Sequence, residues 1–234
     1  MTAKQLSEIF RDLADPVIAE HSQRFFKTGV GEYGEGDRFL GIRVPVIRTK
    51  VKAFRHLSLE EIAKLLASPF HEERLFALLL MVEQYSSSDS AAKDAIVQLY
   101  LTNTECVNNW DLVDSSAHYI LGAHLEHRDR KLLYRLAESS VLWERRIAIM
   151  SCFYFIRKHQ FEDALAISEL LIDDREDLIH KAVGWMLREL GKRDVVLEKQ
   201  FLVRLYRRMP RTMLRYAIEK FPESERQRFL KGLA

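Results

Sequence analysis

The feature that most constrains this chain is a succession of segments with helical periodicity, about 10–18 residues long, which recur in pairs of roughly 30–42 residues. Boundary signals punctuate them. Asp15-Pro16 reads as N-cap and first helical residue of a helix running to about Thr28. Pro45 opens VPVIRTKVKAFRHL, Ser58-x-x-Glu61 forms a capping box before IAKLLAS, and Pro69 opens FHEERLFALLLMVEQYS. Asp89 or Ser90 caps AAKDAIVQLYL. Further helices are expected at roughly 108–125, 129–139, 142–158, 161–172, 175–191, 195–208, 210–221 and 222–232, with Pro210 and Pro222 at starts and Gly191 at a C-terminus. No alternating strand pattern competes. A lone pair of such helices cannot bury its apolar faces, so pairs must stack. The expectation is an all-α fold in one domain, residues 1–234, built as an α-solenoid of antiparallel helix pairs. An irregular helix bundle is the alternative.

Composition narrows the class. With 234 residues, 47% of them hydrophobic, the chain can bury a sizeable core. It has no run of 18 apolar residues, and MTAKQLSEIFRDLAD lacks the apolar centre of a signal peptide, so a cytoplasmic protein is expected. Cys106 and Cys152 read as free thiols. His118, His124 and His127 are the closest histidines and lack an HExxH or CxxC partner, so neither metal nor cofactor is expected. The net charge of +2 hides an asymmetry. Residues 38–59 hold six Lys/Arg and no acid, and residues 181–220 hold eleven against four acids, so these segments carry +13 and the rest −11. One basic surface on an acidic body suits a polyanion; solvated helix faces are the plainer explanation.

The segment GVGEYGEGDRFLGIRVP, residues 29–45, contains five glycines and forbids a stable helix. It matches neither GxGxxG nor GxxxxGK[ST], so it is no phosphate cradle. It reads first as a long connection between helix pairs, and second as a loop that, with Phe25, Phe26 and Lys27, touches a ligand.

Two tryptophans fall off the apolar faces. Taking about 100° per residue from Trp110, the apolar arc of the 108–125 helix passes through Leu112, Tyr119, Ala123, Ile120 and Val113. Asp114 lies outside that arc and Trp110 on its edge. Further on, Ile179, Val183, Met186 and Leu190 form the buried stripe, whereas Trp185 shares a face with Lys181, Arg188 and Lys192. A large aromatic on a basic face gains little burial unless something planar, cationic or sugar-like covers it. Trp143, in a helix apolar nearly all round, reads as core.

Taken together, NNWDLVD, the LWERRIAIM segment with Trp143 and Arg146, HKAVGWMLREL and FLGIRVP resemble the AlkD-like DNA glycosylases, the HEAT-like-repeat branch of DNA alkylation repair. The resemblance runs from about Arg24 to Arg188, with WDxVD and KAxGWxLRE its most specific pieces. It implies HEAT-like pairs with a concave basic surface, and base excision repair of alkylated purines in duplex DNA. It also implies that Asp114 is the catalytic carboxylate and that Trp110 and Trp185 are aromatic walls near the lesion's deoxyribose. Arg146 and Arg188 match positions that hold the DNA backbone, and Phe25 falls where the family can place a tyrosine. Lys181, Lys27 and Arg43 complete the expected DNA contacts. A monomer is expected.

The chemistry agrees. N3- or N7-alkylation makes the purine a cationic leaving group, so the enzyme need not protonate it. It must stabilise positive charge on the sugar and place a water, which an ionised carboxylate can do. Asp111 and Asp114 are about 60° apart on a helix, so they do not form the acid/base pair of many glycosidases; Asp111 is expected to make a structural hydrogen bond. Two other functions remain open: a non-catalytic helical-repeat binder of damaged or branched DNA, and a protein-interaction scaffold.

Overall fold

In a computed structural model, residues 2–234 are described, and all their regular structure is helical apart from an isolated bridge between Arg38 and Phe70. The chain forms two compact units, the first ending at Ser116 and the second beginning at Ala117.

The first unit contains α1 (Ala3–Asp12), α2 (Pro16–Phe25), α3 (Val44–Val51), α4 (Leu59–Leu66), α5 (His71–Ser87), α6 (Ser90–Thr102) and α7 (Trp110–Asp114), with a 3-10 turn at Thr104–Cys106. The boundary signals at α2 and α6 act as expected. Asp15 accepts the Val17 and Ile18 amides at 2.9 and 3.1 Å, and Asp89 accepts the Ala92 amide at 2.9 Å. The box at Ser58 forms only by half. Ser58 accepts the Glu61 amide at 3.4 Å, but the Glu61 carboxylate accepts the Ala3 amide at 2.6 Å and pairs with Lys64. Its side chain thus ties α1 to α4. The complete box lies at Thr2-x-x-Gln5, which starts α1, a helix the sequence reading passed over.

Helix α5 is the hub of this unit. Every residue from His71 to Met81 is buried, against α3, α4, α6 and α7. Each fully buried Leu or Phe here contributes roughly 1.5–3 kcal/mol. Helix α2 is the opposite case, with no residue buried and Phe25 57% exposed. Between α2 and α3 the glycine-rich segment forms turns rather than helix. Gly41 is compulsory there: its φ is +84°, and a Cβ would overlap the Asp15 carbonyl.

The second unit begins with a π-helical turn at His118–Gly122. It continues through α8 (Lys131–Ala137), α9 (Leu142–Ile156), α10 (Glu162–Leu170), α11 (Asp177–Gly191), α12 (Val195–Leu205), α13 (Arg211–Ala217), a 3-10 turn at Ile218–Lys220, and α14 (Glu223–Leu230). Helix α9 packs on α8, α10, α11 and the π turn, and Trp143 is buried as expected. Helix α11 packs on α9, α10, α12 and α13. Close approach is bought with glycine. A Cβ on Gly122 would lie 2.5 Å from the Ser151 carbonyl, and one on Gly184 would overlap that of Met213. On α12, Glu198 is buried against Gly191. Burial pushes its carboxyl up to about 8 and the Glu225 charge adds to this, while Lys199 and Arg188 oppose it.

The expected helix at 108–125 is a correction. Helix α7 stops at Asp114 because the next two residues are serines that bond back to the helix. Ser116 donates to the Leu112 carbonyl at 2.6 Å and Ser115 at 3.3 Å. The π turn then rotates the register, so counting 100° per residue beyond Asp114 fails. Tyr119, assigned to the apolar arc, is 46% exposed, whereas His118 is buried.

Candidate functional site

Five residues make a helix too short to hold itself, so α7 is fixed from outside. Its cap is Asn109, fully buried, whose Oδ1 accepts the Trp110 amide at 2.9 Å. Its first turn is tied down by Asp111, whose Oδ2 lies 2.8 Å from His71 Nε2. That fulfils the structural role expected of Asp111. The other ring nitrogen of His71 lies 2.8 Å from Asp37 Oδ2, and Asp37 Oδ1 accepts from Arg74 at 2.7 Å. Burial disfavours the His71 cation, but the hydrogen bonds and charges of Asp111 and Asp37 outweigh it and raise its pKa to about 9. Asp37 is likewise opposed by burial, yet His71 and Arg74 keep it below the usual carboxylate range. His71 is therefore an imidazolium donating to two carboxylates.

The same histidine belongs to a cluster of rings, with Phe26 also 5.0 Å from it. Phe39 stacks on His71 with centroids 4.5 Å apart, Phe26 stacks on Phe39 at 5.0 Å, and Trp110 stacks on Phe26 at 5.3 Å. Phe25 meets Trp110 edge-on at 6.0 Å. The glycine-rich segment carries this wall. Gly34 runs so close that a Cβ would lie 2.6 Å from the Phe26 carbonyl and 3.2 Å from Asn109 Nδ2. The Glu72 carboxylate accepts the amides of Leu40, Gly41 and Ile42 at 2.9, 2.8 and 3.2 Å. Asp114, half-buried, ends α7. Below it Tyr100, fully buried, bonds Ser116 at 3.1 Å. Burial raises the Tyr100 phenol pKa, Ser116 opposes this, and the Asp114 charge adds to it.

The first unit thus brings Trp110 and Phe25 into contact and sets Asp114 one turn beyond Trp110. Lys27 adopts a φ of 56° and lies 3.9 Å from Glu32, and Arg43 is exposed at the start of α3. In the second unit Lys181, Trp185 and Arg188 share a half-buried face of α11, as the stripe argument required. Each has a protein partner. Trp185 Nε1 donates to Glu189 at 3.3 Å, Lys181 pairs with Asp177 at 2.7 Å, and Arg188 pairs with Glu219. Phe153 lies beside Trp185, 6.2 Å between centroids. Arg146 on α9 is only 4% exposed and donates to the Leu178 carbonyl at 2.5 Å. Gly184 in KAxGWxLRE serves the approach of α11 to α13, so that motif records packing as well as surface chemistry.

Sequence reasoning missed Asp37, Phe39, His71 and Arg74. The signal available was HEER at 71–74, four polar residues leading directly into LFALLLM. All four are buried, and such a group must be paired within the fold.

The model of a family described as DNA alkylation repair enzyme matches residues 6–221. No curated protein matches the chain. Among solved structures, a predicted DNA alkylation repair enzyme from Enterococcus faecalis superposes with a TM-score of 0.69 over 90% of this chain and 97% of that one, at 16% identity. At that identity the likeness establishes a shared fold.

Proposed function

Given that the chain belongs to the DNA alkylation repair enzyme family, we propose that it is a DNA glycosylase excising cationic N3- and N7-alkylated purines, such as 3-methyladenine and 7-methylguanine, from duplex DNA. One observation carries the reading. Helix α7 sets the Asp114 carboxylate one turn beyond the half-exposed Trp110, while Asp111 in the same helix is bonded to His71. A lone carboxylate suits a base that departs already charged. At 4 Å and an effective dielectric near 20, its attraction for the sugar cation is about 4 kcal/mol, roughly a thousandfold in rate if confined to the transition state. The Trp110 face adds about 0.5–2 kcal/mol of cation–π attraction.

In this proposal Trp185 plays the same part from α11, and Phe25 extends the wall beside Trp110. Lys27, Arg43, Lys181 and Arg188 contact phosphates, and Arg188 exchanges Glu219 for one. Arg146, which is buried and donates to the Leu178 carbonyl, is in this proposal a further phosphate contact. The test is single-turnover release of free base from duplexes containing 7-methylguanine or uracil. Release of 7-methylguanine alone is expected, with Asp114→Asn slowing it about a thousandfold while duplex binding persists. Equal rates on uracil would overturn the charge-based mechanism. Binding without release by the natural protein would make the chain a non-catalytic DNA binder.

A further inference from the structure

We propose that His71, held between Asp37 and Asp111, is a positioning residue for the reaction, setting both the ring of Trp110 and the carboxylate of Asp114. This rests on the reading of those two residues given above.

Two independent routes join His71 to them. The first is polar. His71 opens α5, where its amide donates to the Arg38 carbonyl at 2.8 Å, so its backbone is anchored at the hub of the unit. Its ring is 2% exposed and reaches Asp37 in the glycine-rich segment and Asp111 in α7, each at 2.8 Å. Asp37 is in turn gripped by Arg74, one turn further along α5, and its Oδ1 also accepts the Arg38 amide at 2.9 Å. Glu72, the next residue of α5, points its charge at the amides of 40–42. Asp111 is thus pinned from a rigid element. Asp114 lies three residues on, about 4.5 Å along the axis. Once Asp111 is fixed, the backbone that carries Asp114 is fixed with it.

The second route is aromatic. His71, Phe39 and Phe26 form a cluster in which His71 lies 4.5 Å from Phe39 and 5.0 Å from Phe26, and Trp110 stacks on Phe26 with an interplanar angle of 20°. The His71 ring therefore touches the ring on which Trp110 rests. A residue that served stability alone would need neither contact with the ring on which Trp110 stacks nor a bond to the helix bearing both reacting side chains.

The test compares Asp111→Asn and Asp111→Ala with the natural protein, each checked for unchanged helicity by circular dichroism. Asp111→Asn keeps a hydrogen-bond acceptor for His71, and Asp111→Ala removes it. Excision from 7-methylguanine duplex is measured in single turnover across enzyme concentrations, separating the saturating rate from half-saturation. In parallel the tryptophans are replaced by 5-fluorotryptophan and read by fluorine NMR, with Trp110→Phe assigning the Trp110 signal. The expected result is a saturating rate about a hundredfold lower in Asp111→Ala and partly restored in Asp111→Asn, half-saturation within about twofold, and a shift of the Trp110 signal while those of Trp143 and Trp185 stay in place. A full saturating rate with an unmoved Trp110 signal in Asp111→Ala would overturn the proposal. If the natural protein releases no base, the glycosylase reading fails by itself. The fluorine signal then decides the positioning role alone: a shift confined to Trp110 supports it, and no shift overturns it.

Discussion

At the scale of single residues, the two aspartates of α7 show how far a pattern reaches. That Asp111 makes a structural hydrogen bond is expected from the sequence. That it spends its charge on a histidine 40 residues earlier is not, because periodicity says nothing about a partner so distant. The polar run at 71–74 announced that something buried had to be paired, without saying with what. Glu198 is a second buried acid with a measurable consequence. Its folded pKa of about 8 exceeds the ordinary 4.5, so the native state holds a proton that the unfolded chain releases. Its contribution to stability is complete below about pH 4.5 and is lost as the pH rises through 8. Glu198→Gln is neutral throughout. Its melting temperature should match that of the natural protein near pH 5 and exceed it by several degrees near pH 8. A difference that does not grow between these pH values would place Glu198 in water.

At the scale of elements, most helix starts were legible, because caps and prolines act within one turn of where they stand. The exceptions have physical causes. Ser58 could not announce that the Glu61 carboxylate would leave its own box for the Ala3 amide. The break after Asp114 is a contest between serine hydroxyls and the helix, followed by a π turn that apolar spacing does not encode. Gly122 and Gly184, which the sequence reading passed over, are contact points between backbones. Gly184→Ala should cost about 1–3 kcal/mol, since the backbone of α13 and not a flexible side chain occupies the space. Urea denaturation measures this; an unchanged midpoint would mean that α11 and α13 do not meet at Gly184.

At the scale of the whole chain, charge was easy to count and harder to interpret. Much of the surplus in 181–220 is answered within the fold. Arg204 pairs with Glu169 and Arg208 with Asp173, each at 2.6 Å, Lys199 pairs with Glu225 at 2.8 Å, and Arg207 and Arg211 donate to carbonyls near the end of α14. By contrast Arg43, Arg48, Lys52 and Arg55 all stand exposed in a stretch without acids. Duplex affinity measured between about 50 and 200 mM salt should lose about one unit of logarithmic slope for each phosphate contact removed by Arg43→Ala or Arg48→Ala. It should change little for Arg204→Ala or Arg208→Ala. The reverse pattern would move the polyanion-binding surface to the C-terminal helices. The grip of Glu72 on the amides of 40–42 bears on how the chain is made. Those amides leave the ribosome some thirty residues before their only side-chain acceptor is translated, a wait of about 2–6 s at ordinary elongation rates. The glycine-rich segment therefore spends its first seconds without its template. Ribosome-bound nascent chains in which residue 72 has not yet cleared the exit tunnel should be cut by protease within residues 29–43, and longer ones should resist. Equal cleavage of both would mean that the segment finds its shape unaided.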